Sequence, residues 1–127
     1  MNFELMKLRL RENSIRLRLL QGEIARLREI GTISEKIQFN QFQILNYTLK
    51  VSEEVKEISA HFKDKEIIVE IPLAAARDWT ESNLVGLENE QKIDEKQTLK
   101  ILIEKDFVCL DRPFDKDNAD AFSPLKH

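Results

Sequence analysis

The chain has 127 residues, which is long enough for one compact domain with its own hydrophobic core. Its single cysteine, Cys109, excludes an intramolecular disulfide framework and is typical of a reducing compartment such as the cytoplasm. No apolar run reaches membrane-spanning length and no signal peptide is visible, while a net charge of −3 argues against a general nucleic-acid binder.

A β-hairpin over residues 7–19 is the clearest predicted element. Apolar and polar residues alternate with period two on both sides of Glu12 and Asn13, which suit a two-residue turn. This turn pairs Arg9 with Arg16 and places all the apolar side chains on one face. The opposite face then carries five basic residues, here called the basic face: Lys7, Arg9, Arg11, Arg16 and Arg18.

The sequence pattern divides the chain, including this hairpin, into two matching halves. After the hairpin come a short helix that Gly31 ends and two alternating strands. Residues 57–105 repeat this order, with Trp79 on the second helix, and an offset of 52 maps Leu49 onto Ile101. We therefore predict one domain made of two ββαββ units, residues 6–52 and 57–105, between a flexible lead-in (1–5) and an acidic tail (106–127).

Eight short strands and two short helices predict a mainly β (α+β) fold. Closing the strands into an antiparallel eight-stranded barrel, or a barrel-like sheet, would remove exposed strand edges. The alternative is a two-layer arrangement with the helices on one face of a sheet.

The basic face is the main candidate for a ligand-binding site. Like charges directly opposite each other on paired strands are destabilising, so an anion is expected nearby. The second half has His61 and Ile68 where the first has Arg9 and Arg16, so the repeat does not require the basic residues. The alternative is neutralisation by the chain itself, through the tail or through acids with the right strand parity: Glu70, Glu88, Glu90 and Glu104.

Residues 88–92 form an E-x-E-x-K motif. The motif resembles the signature of CYTH-type triphosphate tunnel enzymes, which are duplicated antiparallel barrels that handle metal and polyphosphate in their lumen. This resemblance implies that Glu88 and Glu90 bind a divalent metal while the arginines of the basic face hold phosphates.

The whole chain also resembles a group of small uncharacterised bacterial proteins. The resemblance rests on the K-x-R-x-R-x-N-S-x-R-x-R hairpin (7–18), the I-L-I-E-K-D-F-x-C-L strand (101–110) and the Asp-Ala-Phe of the tail (120–122). That family has no known function, so the resemblance implies a free-standing domain and no mechanism.

These observations favour a small non-enzymatic protein whose basic face binds an anionic ligand or an acidic partner. No Gly-rich phosphate loop or nucleophile elbow is present, and no cofactor is expected. The alternative is a metal-dependent phosphoanhydride hydrolase of the tunnel type. The sequence leaves the ligand and the oligomeric state open.

Overall fold

A computed structural model describes residues 6–107, so the lead-in and the tail beyond Phe107 lie outside the described residues. No helix in this range is long and apolar enough to cross a membrane. The described chain forms eight strands and two short helices in the predicted ββαββ–ββαββ order. Their bounds are β1 (Lys7–Arg11), β2 (Ser14–Leu19), α1 (Gln21–Ile30), β3 (Thr32–Gln38), β4 (Ile44–Ser52), β5 (Ser59–Lys63), β6 (Glu66–Pro72), α2 (Leu73–Glu81), β7 (Gly86–Lys92) and β8 (Thr98–Lys105).

Each half opens on a hairpin with a tight two-residue turn. Both turn residues are left-handed in the first hairpin, with φ of 49° at Glu12 and 59° at Asn13, and the second hairpin has the same conformation at residues 64 and 65. Such turns match the twist of the strands that they join. Arg9 pairs with Arg16 as the turn requires, which confirms the predicted register of the hairpin.

The strands form two separate sheets. The first sheet has the order β1-β2-β8-β7, and the second has the order β3-β4-β6-β5. The central pairs, β2 with β8 and β4 with β6, are parallel, and the remaining pairs are antiparallel. The prediction of one closed antiparallel barrel is therefore wrong. Local alternation specifies the partner within a hairpin, but the pairing between hairpins far apart in the chain depends on tertiary packing.

Each sheet takes one hairpin from each half, and the two sheets repeat the same registers. An offset of 52 relates β1–β2 to β5–β6, whereas an offset of 54 relates β3–β4 to β7–β8. The predicted constant offset of 52 therefore fails in the second hairpins, where Leu49 corresponds to Ile103. Gly31 alone joins α1 to β3, whereas the four residues 82–85 join α2 to β7. This connection is three residues longer and α2 is one residue shorter than α1, which together change the offset by two.

The core lies between the inner faces of the sheets and beneath the two helices. The largest buried side chains include Leu17 and Ile103 of the first sheet and Leu49 of the second, each at most 1% exposed. Full burial of such a side chain contributes about 1.5–3 kcal/mol. Trp79 of α2 is fully buried, and its indole Nε1 donates to the backbone oxygen of Val85 at 3.1 Å. This core leaves the outer face of each sheet open to solvent.

Candidate anion-binding face

The residues of the basic face lie together on the outer surface of the first sheet. Alternation along β2 turns Leu17 and Leu19 into the core, so Arg16 and Arg18 point outward. On β1, the side chains of Lys7 and Arg11 are 64% and 65% exposed. The predicted like-charge pairs are present, because Lys7 lies opposite Arg18 and Arg9 opposite Arg16. The structure thus brings the predicted binding residues onto one surface.

A carboxylate on the neighbouring strand stabilises the arginines of β2. Glu104 of β8 lies opposite Arg18 across the parallel pair. Its Oε1 atom is 2.8 Å from both Nε and Nη2 of Arg16 and 3.8 Å from Nε of Arg18. These three side chains are only about one quarter exposed, so the charge-assisted hydrogen bonds are stronger than they would be in open water. Glu104 therefore fixes the guanidinium of Arg16, whereas Arg18 has only the longer ion pair, and its buried Nε has no hydrogen-bond partner among the described residues.

The basic residues of β1 differ in how far they are neutralised. Lys7 Nζ lies 2.8 Å from Oδ2 of Asp106. Arg11 Nε is 4.0 Å from the carboxylate of Glu12, and both side chains are largely exposed, so this pair contributes little. The expected ion pairs with the chain's own acids are thus present for Lys7, Arg16 and Arg18, although Arg16 and Arg18 share one carboxylate, while Arg11 presents its guanidinium to solvent.

An open depression of about 400 Å³ lies over this surface, and Leu102 is part of its lining. Its lining contains four cationic and two anionic side chains: Arg9, Arg11, Arg16 and Lys100, and Glu12 and Glu104. The excess of positive charge suits a ligand with more than one negative charge. Lys100 was not predicted for this surface. It lies there because β8 pairs with β2 and places Lys100 opposite Ser14, a long-range pairing that local periodicity does not reveal.

Glu88 and Glu90 lie at the far edge of the same face. Both are exposed on β7, where Glu88 is paired with Leu102 and Glu90 with Lys100. The surface is the solvent side of an open sheet, not the lumen that the tunnel-enzyme resemblance implies. Within residues 6–107 no group of three or more His, Cys, Asp or Glu side chains is placed to hold a metal ion. Glu70, which was also expected to share this face, lies in the second sheet.

The second sheet shows what the same framework does without the basic face. Lys63 occupies the position of Arg11, but Ser59, His61, Ile68 and Glu70 replace the other four basic residues. Glu70 and Lys50 take the places of Arg18 and Glu104, and their charged atoms are 3.9 Å apart. The charge order of this pair is thus reversed between the sheets. The framework forms with either arrangement, so the dense positive charge of the first sheet is not needed to form it.

A buried carboxylate in the interior was not predicted. Glu23 is 2% exposed, its Oε1 accepts the backbone N–H of Leu20 at 3.0 Å, and its Oε2 has no hydrogen-bond partner of ordinary geometry among the described residues. Burial raises the pKa of Glu23 above 4.5, and the nearby Glu35 acts in the same direction. Burial likewise raises the pKa of Tyr47, whose hydroxyl donates to the Met6 backbone oxygen at 2.7 Å. A glutamate in the first turn of a helix is usually exposed, so the sequence carried no signal for this group.

Comparison with known protein families identifies the family of the chain. A family described as a family of unknown function (DUF7009) matches residues 6–125. The chain belongs to this family. The match covers both halves and the basic hairpin, so the repeated arrangement described above lies within one family domain. No curated protein and no solved structure matches the chain. These comparisons therefore assign no function to this DUF7009 member.

Proposed function

We propose that this protein is a small non-enzymatic binding protein whose basic face receives an anionic ligand or the acidic surface of a partner. The observation that carries the proposal is the depression in which four cationic side chains face two carboxylates. The equivalent surface of the second sheet, built on the same registers, has no such excess.

The geometry of the basic face supports recognition of an oxyanion. Guanidinium groups present several N–H donors in a fixed fork, which matches the oxygens of a phosphate or carboxylate. Glu104 fixes Arg16 before any ligand arrives, which lowers the conformational entropy lost on binding. Arg11 and Lys100 are exposed at the rim and can move to meet the ligand. The arrangement combines a rigid base with two adaptable cations.

The first test is thermal unfolding with sulfate, pyrophosphate, triphosphate and ATP, each with and without Mg²⁺. A ligand at about 100 times its Kd stabilises the folded state by about 2.7 kcal/mol, which raises the midpoint by several degrees. We expect such a shift for at least one multivalent anion. Dependence on Mg²⁺ together with release of phosphate would favour the tunnel-type hydrolase instead.

A matched pair of double variants makes the test specific. Arg9→Ala/Arg11→Ala removes two cations from the depression, whereas His61→Ala/Lys63→Ala changes the corresponding positions on β5. We expect the first variant to lose the ligand-induced shift and the second to keep it. An equal shift in both variants, or no shift with any anion in the wild type, would refute the proposal.

The repeated architecture and the location belong to the same proposal. A duplicated ββαββ unit accounts for the matching registers and for the turns, in which Asn40 and Asp94 each accept two backbone N–H groups through Oδ1. The lone Cys109 supports a reducing compartment such as the cytoplasm. Duplication followed by a change of charge on one sheet would give one copy a binding surface while the other kept the framework.

A further inference from the structure

The two sheets meet edge to edge at β5 and β7, and side-chain amides close this edge. Gln91 of β7 accepts the backbone N–H of Ala60 through Oε1 and donates to the Ala60 oxygen through Nε2, both at 2.8 Å. Asn89 Nδ2 donates to the Ile58 oxygen at 2.7 Å. The outward N–H and C=O of Ala60 are therefore satisfied although no strand pairs there, which sets this position apart from Phe62, the other outward residue of β5.

The corresponding edge at β1 and β3 lacks these amides. With the offsets of 52 and 54, Leu8 takes the place of Ala60 and Ile37 takes the place of Gln91. The Ile37 side chain offers no donor or acceptor, and the residue is 43% exposed. The amide side chain that hydrogen-bonds the backbone of β5 thus has no counterpart beside β1.

The register of the first hairpin fixes which backbone groups of β1 point away from β2. A two-residue turn makes Arg11 and Ser14 a hydrogen-bonded pair, so Arg9 and Lys7 also bond to β2. The N–H and C=O groups of Leu8 and Leu10 then point outward. Among residues 6–107 no hydrogen bond to these four groups is seen. An edge of this kind is a template for an additional strand.

Charge and shape specify what such a strand must carry. One side of β1 bears Lys7, Arg9 and Arg11, and the other bears Leu8 and Leu10. Leu10 is 57% exposed and borders an apolar groove of about 380 Å³, whose lining includes Leu45 and Leu99. Side chains alternate between the two faces of a strand. A strand beside β1 therefore places every second side chain against the cations and the others against the groove.

We infer that β1 accepts, as an added antiparallel strand, an extended partner segment that alternates Asp or Glu with apolar residues. The inference rests on the proposed function and names the partner of the same basic face. Main-chain hydrogen bonds to Leu8 and Leu10 supply the backbone register, and the alternation supplies the specificity. A second copy of this chain is disfavoured as the occupant, because antiparallel pairing of two β1 strands places Arg9 opposite Arg9 and Lys7 opposite Arg11.

Synthetic peptides of about eight residues test this geometry on the intact protein. The probe alternates Glu and Val, and the control has the same composition with all Glu residues in one block. Antiparallel addition directs the Val N–H groups toward β1 and the Glu N–H groups away from it. Methylation of the Val nitrogens should weaken binding by about tenfold or more, while methylation of the Glu nitrogens should change it little.

Amide hydrogen exchange provides a direct readout of the same contact. The N–H groups of Leu8 and Leu10 should become protected when the alternating peptide binds. Leu10→Pro removes one of these donors without removing a bond of the hairpin, and Phe62→Pro is its counterpart on β5. We expect only Leu10→Pro to weaken binding. If either variant fails to fold, protection of the Leu8 and Leu10 N–H groups in the wild-type protein on addition of the peptide tests whether a strand is added.

The outcomes separate this inference from the proposed function. If block and alternating peptides bind equally, or if both methylated peptides bind like the parent, strand addition is wrong while anion binding stands. If neither peptides nor inorganic anions bind, the proposed function itself fails. Protection of Leu8 and Leu10 in the free protein would show that another segment already covers the edge, and this would overturn the inference. Protection that grows with protein concentration would assign that role to a second copy.

Discussion

Arg18 and Glu104 lie opposite each other on adjacent parallel strands, and the second sheet carries the same pair with its charges exchanged. In the first sheet Glu104 also binds Arg16 through two nitrogens at 2.8 Å. One carboxylate thus serves two arginines, and the surface retains positive charge that a single acid does not cancel. This relationship links the stability of the sheet to its capacity for anions.

Glu104→Gln should separate these two effects. The amide keeps an acceptor for Arg16 but loses the charge, so the free energy of unfolding should fall by about 1 kcal/mol. Affinity for pyrophosphate should rise by up to about tenfold, because two arginines lose their internal counter-ion. Urea denaturation measures the first quantity and isothermal titration the second.

Glu88→Gln provides the control for this substitution. Glu88 is exposed on the same face, and no ion pair joins it to an arginine among the described contacts. Its replacement should change stability by less than about 0.5 kcal/mol. A drop in pyrophosphate affinity for Glu104→Gln would mean that arginine positioning outweighs charge.

The sequence predicted the elements that depend on local order. Period-two alternation located the first hairpin, and its turn at Glu12 and Asn13 fixed the register that the structure confirms. The parallel pairing of β2 with β8 could not be predicted, because it joins strands from opposite ends of the chain through tertiary packing. The same pairing brings Lys100 and Glu104 onto the basic face. The arginines of the candidate site were therefore predictable, but their principal counter-ion was only one of four candidates.

Gly22 in α1 and Gly31 directly after it should respond to alanine in opposite directions. Gly31 ends the helix with φ of 91°, a conformation that strains a residue with a Cβ. Gly31→Ala should therefore lower the free energy of unfolding by about 1 kcal/mol. Gly22 lies inside the helix and has no neighbouring atom within 4 Å of a new Cβ, so Gly22→Ala should raise it by about 0.5 kcal/mol. Chemical denaturation measures the change in the free energy of unfolding for each variant. A lower free energy of unfolding in both variants would contradict this interpretation of Gly22.

Glu23 should make stability depend on pH in the acidic range. Burial raises its folded-state pKa above the ordinary value of 4.5, so the folded protein holds this proton more tightly than the unfolded chain does. The resulting stabilisation is fully present below pH 4.5 and is lost as the pH rises through the folded-state pKa. Glu23→Gln should remove this decline and be more stable than the wild type at pH 7 by about 1 kcal/mol.

The matched control for the pH profile is Glu29→Gln on the exposed side of the same helix. Unfolding by urea at a series of pH values gives the free energy for each variant. Glu29→Gln leaves the buried Glu23 in place, so it should keep the decline in stability that Glu23 causes as the pH rises. If Glu23→Gln keeps the wild-type slope, another group is responsible for it.

Gln91 should contribute more to stability than other glutamines, because its amide supplies the two hydrogen bonds that a neighbouring strand would otherwise make to Ala60 of β5. Gln91→Leu leaves the N–H and C=O of Ala60 without their side-chain partner, and Ala60 is only 4% exposed. Two lost hydrogen bonds at a buried site should lower the free energy of unfolding by about 2 kcal/mol and speed amide exchange at Ala60. Gln97→Leu, in the exposed turn between β7 and β8, should have little effect on either quantity. Unchanged exchange at Ala60 in Gln91→Leu would mean that water satisfies this edge equally well, and the contrast between the edges of β5 and β1 would then lose its energetic basis.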